Sequence, residues 1–300
     1  MKFHCLAAAS LAALLTASCG DCCTEGQDPA TSSSLGLSAS GVSAVPMNGS
    51  PEAAFTAAMQ GLKGRKLSQF ISLMAPSGAL GEMKSGWEMK RKQKLNDHED
   101  QEFRQFMGML TADGAEAALF LMAKPQLEEA QQQLAMMASM APMMAAGAIQ
   151  ESGAPADTMA LLEPVAAKFA SLDIASEEKC KEAIGVLCKA ARAMELESLQ
   201  ELQKLDFDDM MGKADIAYGM MMDVLAVYDI SFDEALNSME VKTVSMENGA
   251  AQMEVTMMLF GKRTSPIPFE MVKGTDGRWT MPDEGPEDGT VDEGQPGLAR

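Results

Sequence analysis

The residue types that usually carry out catalysis are scarce in this 300-residue chain. Of its two histidines, only His98 lies outside the N-terminal segment, and acidic residues surround it. A Ser-His-Asp or Cys-His arrangement would therefore have one candidate base, and no nucleophile motif accompanies it. The sequence also lacks histidine-based zinc motifs and phosphate-binding glycine loops. Carboxylate pairs such as Asp208–Asp209 and Asp229–Asp233 lie where helix ends and turns are expected. We therefore predict that the protein is not an enzyme and uses no cofactor.

Methionine is the side chain with unusual chemistry here, because the chain contains 28 of them. They are densest in the stretch LAMMASMAPMMAAGAI, where a helix would place Met136, Met140, Met143 and Met144 on one face. Thioether sulfur is a soft ligand that suits Cu(I), and the stretch resembles the Met-rich motifs of periplasmic copper proteins. That resemblance implies a copper site at these four residues. The same spacing is also expected of a core stripe or of a Met-lined binding groove, so the three interpretations stay open.

Two cysteines, Cys180 and Cys188, fall in the predicted folded part and lie eight residues apart in a helical pattern. Eight residues of helix span about 12 Å, whereas a disulfide needs Cα atoms within about 7 Å. We expect both to be unpaired, small core residues.

The first 23 residues read as an export signal. Lys2 precedes an apolar run from Cys5 to Leu15, which is shorter than the roughly 20 residues that span a bilayer. Thr16-Ala17-Ser18-Cys19 resembles a bacterial lipobox, although Thr16 stands where that family usually has leucine. The resemblance implies removal of residues 1–18, lipidation of Cys19 and anchoring in the cell envelope; Gly20 favours the outer membrane. The alternative is ordinary signal peptidase cleavage near Ser18 or Gly20, which leaves no anchor.

Composition restricts the partners. A formal net charge of −19 argues against nucleic acid and against purely electrostatic binding to anionic lipid. The expected partners are the membrane, through the anchor, and a protein or apolar ligand. Residues 19–49 are rich in Ser, Gly and Ala and predict a flexible tether, and residues 283–300 predict an acidic disordered tail.

Hydrophobic periodicity predicts a Met/Ala-rich helical region at 50–172, beginning at the cap Ser50-Pro51-Glu52. Within it we expect one helix over 79–110 and breaks near Pro125, at 147–155 and near Pro164. The 79–110 helix carries the basic cluster Lys84, Lys90, Arg91, Lys92 and Lys94. A solvated, internally paired helix face is the first interpretation of this cluster, and a site for an anionic partner is the second.

Residues 173–282 are predicted to form an α+β domain. Helices begin after Ser176, and alternating segments then predict strands over Met239–Met246, Ala250–Phe260, Ser265–Lys273 and Arg278–Met281. Asn248-Gly249 is a hairpin signal. The predicted fold is thus α+β: a multi-helix region followed by an antiparallel meander of three to four strands packed on helices. The similar order of helices after Ser50 and after Ser176 suggests an internal duplication.

The segments PEAAFTAAMQGLKGRKLSQFISLMAP and GAAQMEVTMMLFGKRTSPIPFEMVKGTDGRW resemble the two ends of NTF2-like domains of exported bacterial proteins. The resemblance implies a pocket between helices and sheet. We therefore expect non-catalytic binding or scaffolding through an apolar helix–sheet groove. A periplasmic Cu(I)-binding protein and an NTF2-like enzyme are the alternatives.

Overall fold

The computed structural model describes residues 49–76, 78–152, 167, 168 and 171–283, and for residues 134, 135 and 137–152 it describes the backbone alone. The predicted signal, residues 19–48 of the predicted tether, and residues 284–300 of the predicted tail lie outside this range. The described chain has an α+β fold, as predicted: helices come first and a C-terminal antiparallel sheet follows. In chain order the helices are α1 (Pro51–Lys63), α2 (Leu67–Met74), α3 (Ala79–Lys92), α4 (Asp97–Thr111), α5 (Ala115–Ser152), α6 (Glu177–Met194), α7 (Leu199–Lys204), α8 (Phe207–Val227) and α9 (Asp233–Ser238).

The strands form a four-stranded sheet and a separate small hairpin. They are β1 (Glu240–Glu247), β2 (Ala250–Thr256), β3 (Met258–Leu259), β4 (Lys262–Arg263), β5 (Ile267–Lys273) and β6 (Trp279–Thr280). The sheet order is β1-β2-β5-β6, with every pair antiparallel, and β3 pairs with β4. The Lys273 N–H faces β2, so by alternation the backbone of Pro268 faces the opposite edge, where β6 pairs with Val272 and Lys273 alone. Its missing N–H therefore costs no ladder hydrogen bond.

Local sequence accounts for several helix starts. The Ser50 hydroxyl accepts a hydrogen bond from the Ala53 N–H at 3.3 Å, with Pro51 at the first helical position. Asp206 caps α8 in the same way, through the Asp209 N–H at 2.8 Å. Ser176 precedes α6 as expected, but its side chain makes no capping hydrogen bond.

The single helix expected over 79–110 is wrong, because the chain breaks at residues 93–96 between α3 and α4. Asn96 starts α4 by accepting a hydrogen bond from the His98 N–H at 3.0 Å. The Gln203 amide binds the carbonyl oxygens of Lys90 and Gln93, which fixes the end of α3 against α7. A long-range contact and a local cap therefore override the continuous hydrophobic pattern.

The break expected near Pro125 is also wrong, since α5 is continuous from Ala115 to Ser152. Pro125 is exposed to solvent. Water can therefore bind the carbonyl that proline leaves unpaired, and the helix tolerates it.

Two clusters of buried side chains hold the fold. The helical core joins α4, α5, α6 and α8 around residues that include Met107, Phe120, Ile184, Cys188 and Met194. The sheet core lies between α1–α2 and the sheet; its buried members are Ala58, Met74, Ala251, Met253, Met271 and Trp279. The start and the end of the described chain therefore share one core.

Candidate binding groove

The buried carboxylate of Asp215 on α8 is occupied by a structural task. It accepts hydrogen bonds from the backbone N–H and the hydroxyl of Ser68, at 2.7 and 2.8 Å. Ser68 lies in the first turn of α2, whose N-cap residue Lys66 offers no side-chain cap. Asp215 therefore caps a helix that lies about 150 residues earlier in the chain, and joins α8 to α2.

Asp100 on α4 does the same for α7. Its carboxylate accepts hydrogen bonds from the N–H groups of Leu199 and Gln200, at 2.8 and 3.2 Å, and from Nε of Arg104 at 2.7 Å. The Arg104 guanidinium, followed by these N–H groups, lowers the pKa of Asp100 below its ordinary value, and Asp100 in turn raises the pKa of Arg104. The contact fixes α4 against the turn that leads from α6 to α7.

Beside this contact lies an open groove of about 670 Å³. It runs between α4 and the end of α6, and is closed at one side by the 195–198 turn and α7. Apolar lining comes from Met107, Ala191 and Leu196, with Gly108 and Thr111 along α4. The charged side chains around it are Arg104, Arg192, Glu195, Glu197 and Glu201.

The turn that forms the wall of the groove has a local explanation. Glu195 adopts the left-handed conformation, with φ 49°, and ends α6. Ser198 then caps α7 by accepting from the Glu201 N–H at 3.1 Å, and the Glu201 carboxylate accepts from the Glu197 N–H at 2.7 Å. This exchange is close to a capping box, which fixes the direction in which the chain enters α7.

The arginines around the groove are both neutralised by carboxylates. Arg192 donates to Glu116 at 2.9 Å and to the carbonyl oxygen of Ala112 at 3.4 Å. The hydrogen bond that Arg192 donates to Glu116 lowers the pKa of Glu116 and raises the pKa of Arg192. The groove therefore has a floor of buried core side chains, Met107, Ala191 and Leu196, and a border of charged side chains.

The opening between α1 and the sheet is much smaller, at about 110 Å³. Its apolar lining includes Phe55, Met59 and Leu236, and Lys63 is its charged member. The inner face of the sheet beside it is filled, because Met253 and Met271 are almost completely buried against α1 and α2.

The structure brings few of the sequence-predicted site residues together. Met136 lies on α5 with 66% of its surface exposed. Met140, Met143 and Met144 lie on the same helix, and their side chains are outside the described part, as is Cys19. Copper binding by the four methionines and lipidation of Cys19 therefore stay predictions.

The cysteine prediction is confirmed: Cys180 and Cys188 are both free and buried, and burial raises the pKa of both thiols. His98 is exposed on α4, with Nδ1 3.6 Å from a Glu102 oxygen. In the part of the chain that the structure describes, no group of three or more His, Cys, Asp or Glu side chains could hold a metal ion.

Sequence reasoning missed the groove between α4 and α6. Its lining comes from residues 104–111 and 191–201, and the hydrophobic pattern assigns the apolar ones to helix packing. The Ser198–Glu201 spacing of a capping box was the available signal for a sharp turn at this point.

Among the described residues, no single helix combines the length and apolar character needed to cross a membrane. Helix α4 and the first part of α5 reach that length and composition together, but the two are bent by 112° at their junction. No protein-family model, curated protein or solved structure matches the chain.

Proposed function

We propose that the protein is an exported bacterial envelope protein, anchored through a lipid on Cys19, that binds a partner without catalysis. The groove between α4 and α6 is the proposed binding site. The observation that carries this is the groove's volume, about 670 Å³, which lies in the usual range for ligand pockets.

The occupied carboxylates support binding over catalysis. Asp100 and Asp215, the two buried carboxylates among the described residues, both accept hydrogen bonds from helix N–H groups, which gives each of them a structural role. Met107, Ala191 and Leu196 form the floor of the groove; they belong to the buried helical core and present little surface of their own, so the charged border supplies the exposed contacts.

Gly108 allows a direct test, because it lines the groove and a Cβ placed there meets no atom within 4 Å. A Gly108→Trp variant should fill the groove without disturbing α4. The probe is 1-N-phenylnaphthylamine, an apolar dye whose fluorescence rises when it leaves water. We expect saturable binding of the dye by the native chain and about tenfold weaker binding by Gly108→Trp, in which the tryptophan occupies the groove. A tenfold weaker affinity corresponds to a loss of about 1.4 kcal/mol in binding free energy.

The matched control is Gly212→Trp. Gly212 lies within α8, also has no atom within 4 Å of a built Cβ, and does not line the groove. Equal dye binding by the native chain and Gly108→Trp would reject this groove as the binding site.

The anchor is tested separately. Mass spectrometry of the mature N-terminus should find a lipid on Cys19, and Cys19→Ser should release the protein from the membrane fraction. An unmodified N-terminus near Ser18 or Gly20 would contradict the anchor while leaving the groove proposal intact.

The NTF2-like enzyme alternative would need a pocket between helices and sheet lined by Asp, Glu or Tyr. The described opening there has a volume of about 110 Å³, and its lining contains none of these residue types. This supports the binding proposal over that alternative.

Copper binding is the second candidate function, and the continuity of α5 favours it. Positions 136, 140, 143 and 144 lie on one unbroken helix and are spaced along one face of it. Four thioethers on a helix face are suitable ligands for Cu(I).

A Cu(I) titration in competition with bathocuproine tests this candidate. Replacing the four methionines by Leu should reduce affinity by more than tenfold if they are ligands. The control replaces four other exposed methionines by Leu: Met89, Met109, Met122 and Met221. Equal affinity in the two variants would reject the site.

A further inference from the structure

An unpaired basic surface lies where the C-terminal ends of α3 and α7 meet. Arg91 donates to the carbonyl oxygens of Gln203 and Lys204, at 3.0 and 3.1 Å, and the Gln203 amide binds back to the carbonyl of Lys90 at 3.1 Å. These contacts bring together four lysines whose side chains make no hydrogen bond or ion pair with the described residues: Lys90, Lys92, Lys94 and Lys204. We call them the α3–α7 lysine cluster.

The neighbouring charges do not neutralise this cluster. The other basic side chains of α3 have partners, since Lys84 pairs with Asp208 and Arg91 with Glu88. Asp97 and Glu99 follow in the first turn of α4, where the helix end already stabilises their charge. Helix C-termini favour nearby lysines, which explains their position, and the four together make a locally basic surface on a chain with net charge −19.

The complementary charge is present in the chain itself. Residues 284–300 contain five carboxylates, Glu284, Glu287, Asp288, Asp292 and Glu293, against one arginine. We propose that the α3–α7 lysine cluster is the docking surface for this acidic segment of the same chain.

The point where the segment begins makes this contact reachable. The Met281 N–H donates to the carbonyl oxygen of Met74 at 3.0 Å, so the chain leaves the sheet beside the end of α2, a few residues before α3 begins. Helix α3 is 14 residues long, about 21 Å, and leads from there to the cluster. The five carboxylates lie within the first ten residues of this segment. At random-coil dimensions ten residues would reach about 16–19 Å r.m.s., and about 33–36 Å if fully extended, so Asp292 and Glu293, farthest from the sheet, are the carboxylates within reach of the cluster.

Such docking depends on several weak contacts together. Exposed ion pairs are individually weak and are screened by salt, whose Debye length falls from about 20 Å at 20 mM to about 4 Å at 0.5 M. The docked segment would cover the cluster at low salt and release it at high salt.

The test is the acetylation rate of each lysine in the full chain, measured by mass spectrometry, compared with a chain that stops after Asp283. At 20 mM salt we expect the four cluster lysines to react about threefold more slowly in the full chain, with the difference lost at 0.5 M salt. Lys189 and Lys242 are exposed, lie elsewhere and serve as internal controls whose rates should not change. A full-length chain with the five carboxylates changed to amides should behave like the shortened chain.

Three results would overturn the proposal. The first is equal rates for the cluster in the full and shortened chains. The second is protection that increases with protein concentration, since that indicates contact between copies. The third is protection that requires added phosphatidylglycerol vesicles, since that assigns the cluster to a lipid surface.

Discussion

At the scale of single residues, the main finding is how the buried carboxylates are used. Asp100 lies in the first turn of α4 and Asp215 in the middle of α8, and both accept hydrogen bonds from N–H groups at the start of another helix. The free N–H groups of a helix start favour a negative charge, which explains why a carboxylate is stable where water is largely excluded. In the sequence these residues resemble any acidic residue of an amphipathic helix, because the partner lies about 100 to 150 residues away.

The pKa of Asp100 predicts how stability depends on pH. Its folded-state pKa is lowered from 3.8 by the Arg104 hydrogen bond and the α7 N–H groups. The stabilisation is therefore fully present above the unfolded-state value near 3.8 and is lost as pH falls through the lower folded-state value. We expect Asp100→Asn to be less stable than the native chain at pH 7, and to lose less stability between pH 5 and about pH 2.5.

Urea unfolding at a series of pH values measures this difference. The control is Asp209→Asn, because the Asp209 carboxylate makes no hydrogen bond or ion pair with the described residues. Parallel pH profiles for native and Asp100→Asn proteins would contradict the assigned role.

Asp215 makes a prediction that does not depend on pH. Asp215→Ala leaves the N–H and the hydroxyl of the half-buried Ser68 without their partner. We expect a loss of about 1–3 kcal/mol in the free energy of unfolding, the usual cost of an unsatisfied buried group. Glu182→Ala, at an exposed position within α6, should change it by less than about 0.5 kcal/mol. Similar losses of unfolding free energy in both variants, measured by chemical denaturation, would show that the hydrogen bonds of Asp215 to Ser68 do not account for the effect.

At the scale of elements, turn chemistry determines the register of the sheet. Asn248 and Gly249 both have positive φ, 51° and 82°, as a two-residue hairpin loop requires. The loop pairs Glu247 with Ala250, and the alternation then directs Ala251, Met253 and Val255 into the core. One residue of slippage would turn these side chains to solvent, so the loop and the hydrophobic pattern specify the same register.

Two glycine substitutions should therefore have opposite effects. In Gly249→Ala, the built Cβ meets only Lys273 Cβ at 3.9 Å, so the cost is backbone strain at φ 82°, about 1–2 kcal/mol. In Gly86→Ala, within α3 and with open space around the Cβ, better helix propensity should add about 0.5–1 kcal/mol. Chemical denaturation of both variants checks the signs, and a neutral Gly249→Ala would show that the loop tolerates another turn type.

The elements were more predictable than their assembly. The Ser50 cap, the Asn248-Gly249 hairpin and the alternation of β2 are local signals, and each is found where the sequence placed it. The break at 93–96 was not predictable, because it depends on the Gln203 amide from a distant helix. The groove was missed for the same reason: its lining residues are about 85 positions apart in the chain, and single-sequence periodicity carries no information on which helix faces meet.

At the scale of the whole molecule, α8 joins the two cores. Ala217 on α8 belongs to the helical core, and Asp215 two residues earlier holds α2, which packs on the sheet core. The α1–α2 segment falls within the predicted region 50–172, whereas the sheet falls within 173–282. Because α1 and α2 cover the sheet and are fixed to α8, we expect the two cores to unfold together.

The two tryptophans allow this expectation to be measured, since each reports on a different part. Trp87 donates to the Leu205 carbonyl at 3.1 Å, next to the helical core, and Trp279 is buried in the sheet core. The Trp279→Phe and Trp87→Phe proteins keep one tryptophan each. In each of them, urea unfolding followed by fluorescence should have the same midpoint as unfolding followed by circular dichroism. Adding Asp215→Ala should separate fluorescence from circular dichroism in the protein that keeps Trp279, because the sheet core then loses its connection to α8. If the sheet core already unfolds first with Asp215 in place, the molecule consists of two independent units and α8 does not couple them.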